Sequence, residues 1–125
     1  MKKYPVILTT CCLFLLNFKS TAQQVQVTIV NKSDYRLDSL TVNDMYIGTI
    51  NASRDTLIFY KNMVTDTGQP VVKAFANVDG QKIYTPEIYT ECATMHRVNT
   101  SGRYTLNLKV LQNSNGPFLY IELPQ

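Results

Sequence analysis

The chain is written largely with a period of two. From Gln23 to Asn31, Val25, Val27 and Ile29 alternate with Gln24, Gln26 and Thr28, the pattern of a strand with one face buried and one in water. Arg103 to Leu111 repeats it, with Tyr104, Leu106, Leu108 and Val110 opposite Arg103, Thr105, Asn107 and Lys109. Pro117 to Leu123 sets Leu119, Ile121 and Leu123 against Phe118, Tyr120 and Glu122. The clearest local signal is Val71 to Tyr89, where two apolar-rich arms meet at Asp79-Gly80. A two-residue type I′ turn needs positive φ at both central positions, which Asp and Gly tolerate better than most residues. Counting outward from that turn pairs Val78 with Gln81, Ala76 with Ile83, Phe75 with Tyr84 and Ala74 with Thr85. With Ala74, Ala76, Val78 and Ile83 turned to the core, Phe75 and Tyr84 face away from it.

The remaining segments complete an all-β pattern. A second run follows through Leu37, Leu40 and Val42, and the change of phase between Leu37 and Leu40 predicts a bulge or an irregular entry. Asn43-Asp44 marks a tight turn into Met45 to Ile50, where Gly48 suggests a second bulge or a close backbone approach. Thr56 to Tyr60 holds consecutive apolar residues, which predicts a strand covered on both faces or lying centrally in its sheet. Lys61 to Pro70 reads as a long loop and Thr90 to Gly102 as irregular. Pro86 cannot donate to a ladder, so its arm is expected on an edge or leaving the sheet. No window outside the first residues has a helical period. About seven or eight short strands in roughly 100 residues predict an antiparallel β-sandwich.

The N-terminus changes what belongs to that domain. Lys2 and Lys3, the apolar run Val6 to Leu16 and the small residues Ser20-Thr21-Ala22 have the order of a cleavable signal peptide, with cleavage after Ala22. The division is then residues 1–22 as signal and residues 23–125 as the domain, exported to the periplasm, the cell surface or the medium. The apolar run is short of the roughly 20 residues a spanning helix needs, so no integral membrane segment is expected after cleavage. Cys11 and Cys12 allow an alternative, lipid attachment. Thr10 precedes Cys11 where Ala or Gly is usual, however, and Leu13 to Leu16 continue the apolar run past it. Lys2, Lys3 and Lys19 leave with the signal, and nine Lys and Arg then balance nine Asp and Glu. A formally neutral domain has no electrostatic footprint for nucleic acid. Cys92 is its one cysteine, so no intrachain disulfide can form.

Candidate chemistry is sparse. Glu91, Cys92 and His96 bring together the side-chain types of zinc sites and nucleophilic sites. A structural zinc site needs four ligands, and the domain has no second cysteine or histidine. Calcium loops, phosphate-binding glycine loops and the nucleophile elbow are missing from the sequence. No catalytic, cofactor or metal-binding residue is assigned, and no cofactor is expected. Asn31-Lys32-Ser33, Asn51-Ala52-Ser53 and Asn99-Thr100-Ser101 match the glycosylation acceptor pattern and fall in predicted turns or loops. The functional lead is aromatic. Phe75, Tyr84, Phe118 and Tyr120 all face away from the predicted core, and would form one outward patch if their strands shared a sheet.

The signal ending Thr21-Ala22-Gln23-Gln24, the stretch VTIVNKSDYRLDSLTVNDMYIGTI and the later SGRYTLNLKV resemble small exported proteins of Gram-negative bacteria that are similar to immunoglobulin-like β-sandwiches. The resemblance implies fold and export and assigns no functional residue. Tryptophan and the paired cysteines of immunoglobulin domains are missing, which keeps a transthyretin-like or other Greek-key sandwich open. The expected role is a non-catalytic interaction or structural domain that binds a protein or glycan partner through a sheet face or edge. The alternative is a small-molecule or glycan-binding sandwich using the same aromatics or the loops Lys61 to Pro70 and Thr90 to Gly102, and the third and least expected reading is an enzyme centred on Cys92 and His96. Intact mass spectrometry of the exported protein is expected to give an N-terminus at Gln23. A diacylated N-terminal cysteine would instead establish lipid attachment.

Overall fold

The computed structural model describes residues 24–86 and 96–124. These residues form strands without any helix. The order is β1 (Val25–Asn31), β2 (Leu37–Val42), β3 (Met45–Ile50), β4 (Asp55–Tyr60), β5 (Met63–Asp66), β6 (Gln69–Pro70), β7 (Ala74–Val78), β8 (Gln81–Tyr84), β9 (His96–Asn99), β10 (Gly102–Asn113) and β11 (Gly116–Glu122). One sheet runs β11-β10-β1-β4, a second β3-β2-β7-β8, and a small third β6-β5-β9. The first two share one core. Val25, Val27 and Ile29 of β1 and Leu106 and Leu108 of β10 are buried with Leu37, Leu40 and Val42 of β2 and Ala74, Ala76 and Ile83 of β7 and β8. Each large aliphatic side chain removed from water in this way contributes about 1.5–3 kcal/mol.

The hairpins follow the sequence. Asp79 and Gly80 have φ of 49° and 79°, and β7 and β8 pair Phe75 with Tyr84, Ala76 with Ile83 and Val78 with Gln81. The Thr85 N–H donates to the Ala74 carbonyl at 2.9 Å, which continues the same register. Asn43 and Asp44 also take positive φ and join β2 to β3. The bulge expected in β2 is present, with Ser39 at φ 49° and register shifts on both sides of Leu40. Gly48, opposite Leu40, has φ 103°, a conformation that side chains disfavour. β8 ends two residues before Pro86 and is a sheet edge, as that proline requires.

Five expectations are corrected. Eleven strands stand among the described residues where about seven or eight were expected, because β5, β6 and β9 lie in stretches read as loop or irregular. Ladders are antiparallel except one, since β1 runs parallel to β10, with Val25 opposite Gly102 and Asn31 opposite Leu108. Alternation shows that a strand has two unlike faces and says nothing of its neighbour's direction. β4 is an edge strand, bonded only to β1, and Leu57 and Phe59 are each 48% exposed. Its run of apolar residues therefore does not mark burial on both faces. Lys61 to Pro70 is not a loop but mostly the β5–β6 hairpin, closed by Thr67 and Gly68 at φ 50° and 83°. Its inward residues are Met63 and Thr65, and a buried threonine hides the apolar half of the pattern. The stretch expected to be irregular contains β9, which pairs with β5.

Two buried polar groups tie the sheets together. Asn31, fully buried at the end of β1, donates through Nδ2 to the carbonyls of Tyr35 at 2.7 Å and Ile50 at 3.0 Å. Its Oδ1 accepts from the Ser33 hydroxyl and the Ser33 N–H. Its main chain accepts from Ser53 and donates to Arg54. One residue thus fixes, through its side chain, the turn that leaves the first sheet and the end of β3 and, through its main chain, the approach to β4. Asn31 is consequently a structural group and not an exposed glycosylation acceptor, despite its sequence pattern. Tyr60, 6% exposed, crosses from β4 to donate its hydroxyl to the Val42 carbonyl at 2.8 Å. Desolvation by burial pushes its pKa up from 10.0 to about 12.

Replacing Asn31 with Ala leaves the Ile50 carbonyl and the Ser33 N–H without their side-chain partner, while the Ser33 hydroxyl can still donate to the Tyr35 carbonyl. A loss of about 3 kcal/mol in urea unfolding is expected, well above the cost of the same change at exposed Asn51. Tyr60→Phe is expected to cost about 1 kcal/mol at neutral pH. The raised pKa means that the folded state holds the phenol proton after the unfolded chain has released it. Its stabilising effect is complete below pH 10 and is lost as pH rises through about 12. Unfolding curves between those values should fall less steeply for Tyr60→Phe than for the parent.

Candidate functional site

The second sheet carries the most organised exposed feature. On its outer face the registers place Tyr46 opposite Thr41, Thr41 opposite Phe75, and Phe75 opposite Tyr84. One row of side chains thus crosses all four strands, β3, β2, β7 and β8. With strands about 4.8 Å apart, the row spans about 14 Å. Tyr46 is 70% exposed and Tyr84 55%, while Phe75 is half-buried. The Phe75 and Tyr84 rings lie 6.0 Å apart and tilted by 46°, within the range of favourable aromatic pairs. Lys82 stands on the same face of β8, with Nζ 4.3 Å from the Phe75 centroid and 5.4 Å from that of Tyr84. A cation over the negative faces of two rings is favourable, and the pair is also a positive point on an aromatic surface. The next row has Asp38 opposite Asn77 and Asn77 opposite Lys82. Asp38 is occupied by Arg36 at 3.0 Å and by the Thr49 hydroxyl.

The structure divides the expected aromatic patch. Phe75 and Tyr84 form the pair just described, whereas Phe118 and Tyr120 lie on β11, an edge of the other four-stranded sheet. The condition that all these strands share a sheet is not met, so they form no single sheet face. Around β11, Tyr120 is 43% exposed, Phe118 opposes Leu111, and Lys109 pairs with Glu122 at 2.6 Å. Such an exposed ion pair contributes little. Tyr46 is the residue that sequence reading missed. The Asn43-Asp44 turn sets it opposite Thr41 within one hairpin. Only the β2–β7 pairing, more than thirty residues apart in sequence, joins Thr41 to Phe75.

Of the Glu91, Cys92 and His96 cluster, Glu91 and Cys92 lie outside the described residues. His96 opens β9, exposed, with Asp66 as its cross-strand neighbour. Asp66 Oδ1 is buried without a hydrogen-bond partner among the described residues. Among those residues no three of His, Cys, Asp or Glu gather in a way that could hold a metal ion. Of the glycosylation patterns, Asn51 is exposed, and Asn99 ends β9 with its amide donating to the Thr65 hydroxyl at 2.9 Å. A cleft of about 1200 Å³ runs between the third sheet and one end of the second, lined in part by Asn43, Met63, Val71 and Phe75. Of its polar groups, Asn43 bonds Val71 and Lys73 and the Tyr60 hydroxyl is held by Val42, whereas the unpartnered Asp66 also lines it. Among the described residues no helix is long and apolar enough to cross a membrane. Comparison of the chain with protein-family models, curated proteins and solved structures found no match.

Proposed function

We propose that this protein is an exported, non-catalytic interaction domain of immunoglobulin-like sandwich type, and that it binds a protein partner through the outer face of its second sheet. The observation that carries the reading is the row Tyr46, Thr41, Phe75 and Tyr84. Tyrosine and phenylalanine supply large contact area with few torsions to freeze and are enriched in protein interfaces. Here they lie on a rigid sheet, so little ordering entropy opposes association. Lys82 among the rings favours a partner that presents an acidic group beside an apolar one. Export is supported by the order of charged, apolar and small residues in the first 22 positions. The sandwich type is supported by the core shared between two four-stranded sheets.

A second reading, binding of a glycan, draws on the same row, because flat rings flanked by the Thr41 hydroxyl and the Asn77 amide suit a sugar's apolar face and hydroxyls. Against it, Lys82 already covers Phe75. The double variant Tyr46→Ser/Tyr84→Ser distinguishes these readings from a purely structural row. Cross-strand pairs are worth about 0.2–1 kcal/mol each, so the variant should fold with a small loss in melting temperature. It is expected to lose partners that the parent protein captures from its own envelope extract. A folded variant that retains every partner sinks the proposal. A glycan that raises the parent's melting temperature, and not the variant's, supports the second reading.

A further inference from the structure

The sheet edges of this protein are not alike. β11 has Pro117 in its second position, and β6 is two residues long and includes Pro70. β3 is bulged against its neighbour at Gly48. β8 is four residues long and ends just before Pro86, and β9 is equally short and carries His96 and Arg97. Proline, bulges, charge and short length are the usual devices that stop an edge from pairing with another chain. β4 carries only one of them, the charge of its first residue Asp55: from there Thr56-Leu57-Ile58-Phe59-Tyr60 is an uninterrupted, uncharged run rich in strand formers.

The ladder determines which of its main-chain groups are open. Asn31 N–H donates to Arg54, so the alternating antiparallel pattern directs Thr56, Ile58 and Tyr60 toward β1 through their partners Ile29, Val27 and Val25. The N–H and C=O groups of Asp55, Leu57 and Phe59 then point out of the sheet. Leu57 and Phe59 are also the residues whose side chains are half exposed on the outer face. Open hydrogen-bonding groups and exposed apolar side chains coincide on one strand.

We infer that this edge is a self-association site, and that a second copy of the chain pairs with it antiparallel through β4. The charges select the register. A two-fold axis at Ile58 sets Leu57 against Phe59 of the partner copy, Thr56 against its Tyr60, and Asp55 against its Lys61, the residue that follows β4, so the two exposed apolar residues meet each other and acid meets base. Moving the axis to Leu57 would set Phe59 against Asp55, and moving it to Phe59 would set Leu57 against Lys61. With the axis at Ile58, the Leu57–Phe59 pairs are hydrogen-bonded pairs and supply about four main-chain bonds. The β11-β10-β1-β4 sheets of the two copies then become one continuous sheet. The aromatic row on the other sheet takes no part, so the dimer stands or falls independently of partner binding there.

Sedimentation of the mature chain from about 1 to about 200 µM tests the inference, a range suited to a small interface. A monomer–dimer equilibrium is expected. Leu57→Lys/Phe59→Lys should be monomeric throughout. Asp55→Lys should weaken the dimer about tenfold, because two like-charged contacts arise per dimer, and Asp55→Lys/Lys61→Asp should restore it. In a Cys92→Ser background, a mixture of Leu57→Cys and Phe59→Cys chains should cross-link on oxidation while neither chain alone does so. This arm reads the register even if the lysine pair fails to fold. A mature chain that is monomeric over the whole range overturns the inference, as does a dimer unaffected by the lysine pair or cysteines that cross-link equally well alone and mixed.

Discussion

Two twisted sheets placed face to face leave their connections as the difficult part of the structure, because a chain leaving one sheet for the other exposes main-chain groups at the rim of a dry core. In this protein that problem is met chiefly by one side chain. Asn31 is the last residue of β1 and fully buried. Its amide satisfies carbonyls from the turn and from the end of β3, its oxygen holds Ser33, and its main chain fastens the connection into β4. A hydrophobic residue there would bury as much surface and leave several of those groups unpaired. The Tyr60 hydroxyl makes a second crossing, from β4 to the Val42 carbonyl. The apolar core supplies most of the driving force, whereas these polar contacts fix how the sheets meet.

Once the sheets are fixed, the remaining apolar surface is distributed unevenly between their outer faces. The outer face of the second sheet gathers Tyr46, Phe75 and Tyr84 into a row and covers part of it with Lys82. The outer face of the first sheet spreads its apolar residues to opposite edges, Leu57 and Phe59 on β4, and Phe118 and Tyr120 on β11. Polar residues such as Thr28, Thr105 and Asn107 occupy the strands between. A rigid aromatic row and an uninterrupted open edge are different kinds of surface. The first fits recognition by side chains and the second fits recognition by main chain.

Local chemistry could be read directly. The Asp79-Gly80 turn determined the β7–β8 register because both residues tolerate positive φ, and the facing pair Phe75 and Tyr84 follows from counting. The β2 bulge was legible in the phase slip between Leu37 and Leu40. The β5–β6 hairpin was not, because its buried positions are Met63 and Thr65 and its turn is Thr67-Gly68, a weaker signal than Asp-Gly. Asn31 carried no signal of its role, since an asparagine before Lys32-Ser33-Asp34 looks like any turn residue until its partners at Tyr35 and Ile50 are brought close.

The sequence by itself determined that the described residues form strands and not helices, where the Asn43-Asp44 and Asp79-Gly80 turns lie, and which residues share a face in the strands it recognised, because these depend on neighbours a few positions apart. Only the tertiary structure decided which strands are neighbours. It made β1 and β10 parallel, put β4 at an edge with Leu57 and Phe59 outward, separated Phe118 and Tyr120 from Phe75 and Tyr84, and joined Tyr46 to the latter pair. Each of those outcomes depends on contacts between segments far apart in sequence, set by how two whole sheets fill one core, and periodicity in a single strand contains no term for it.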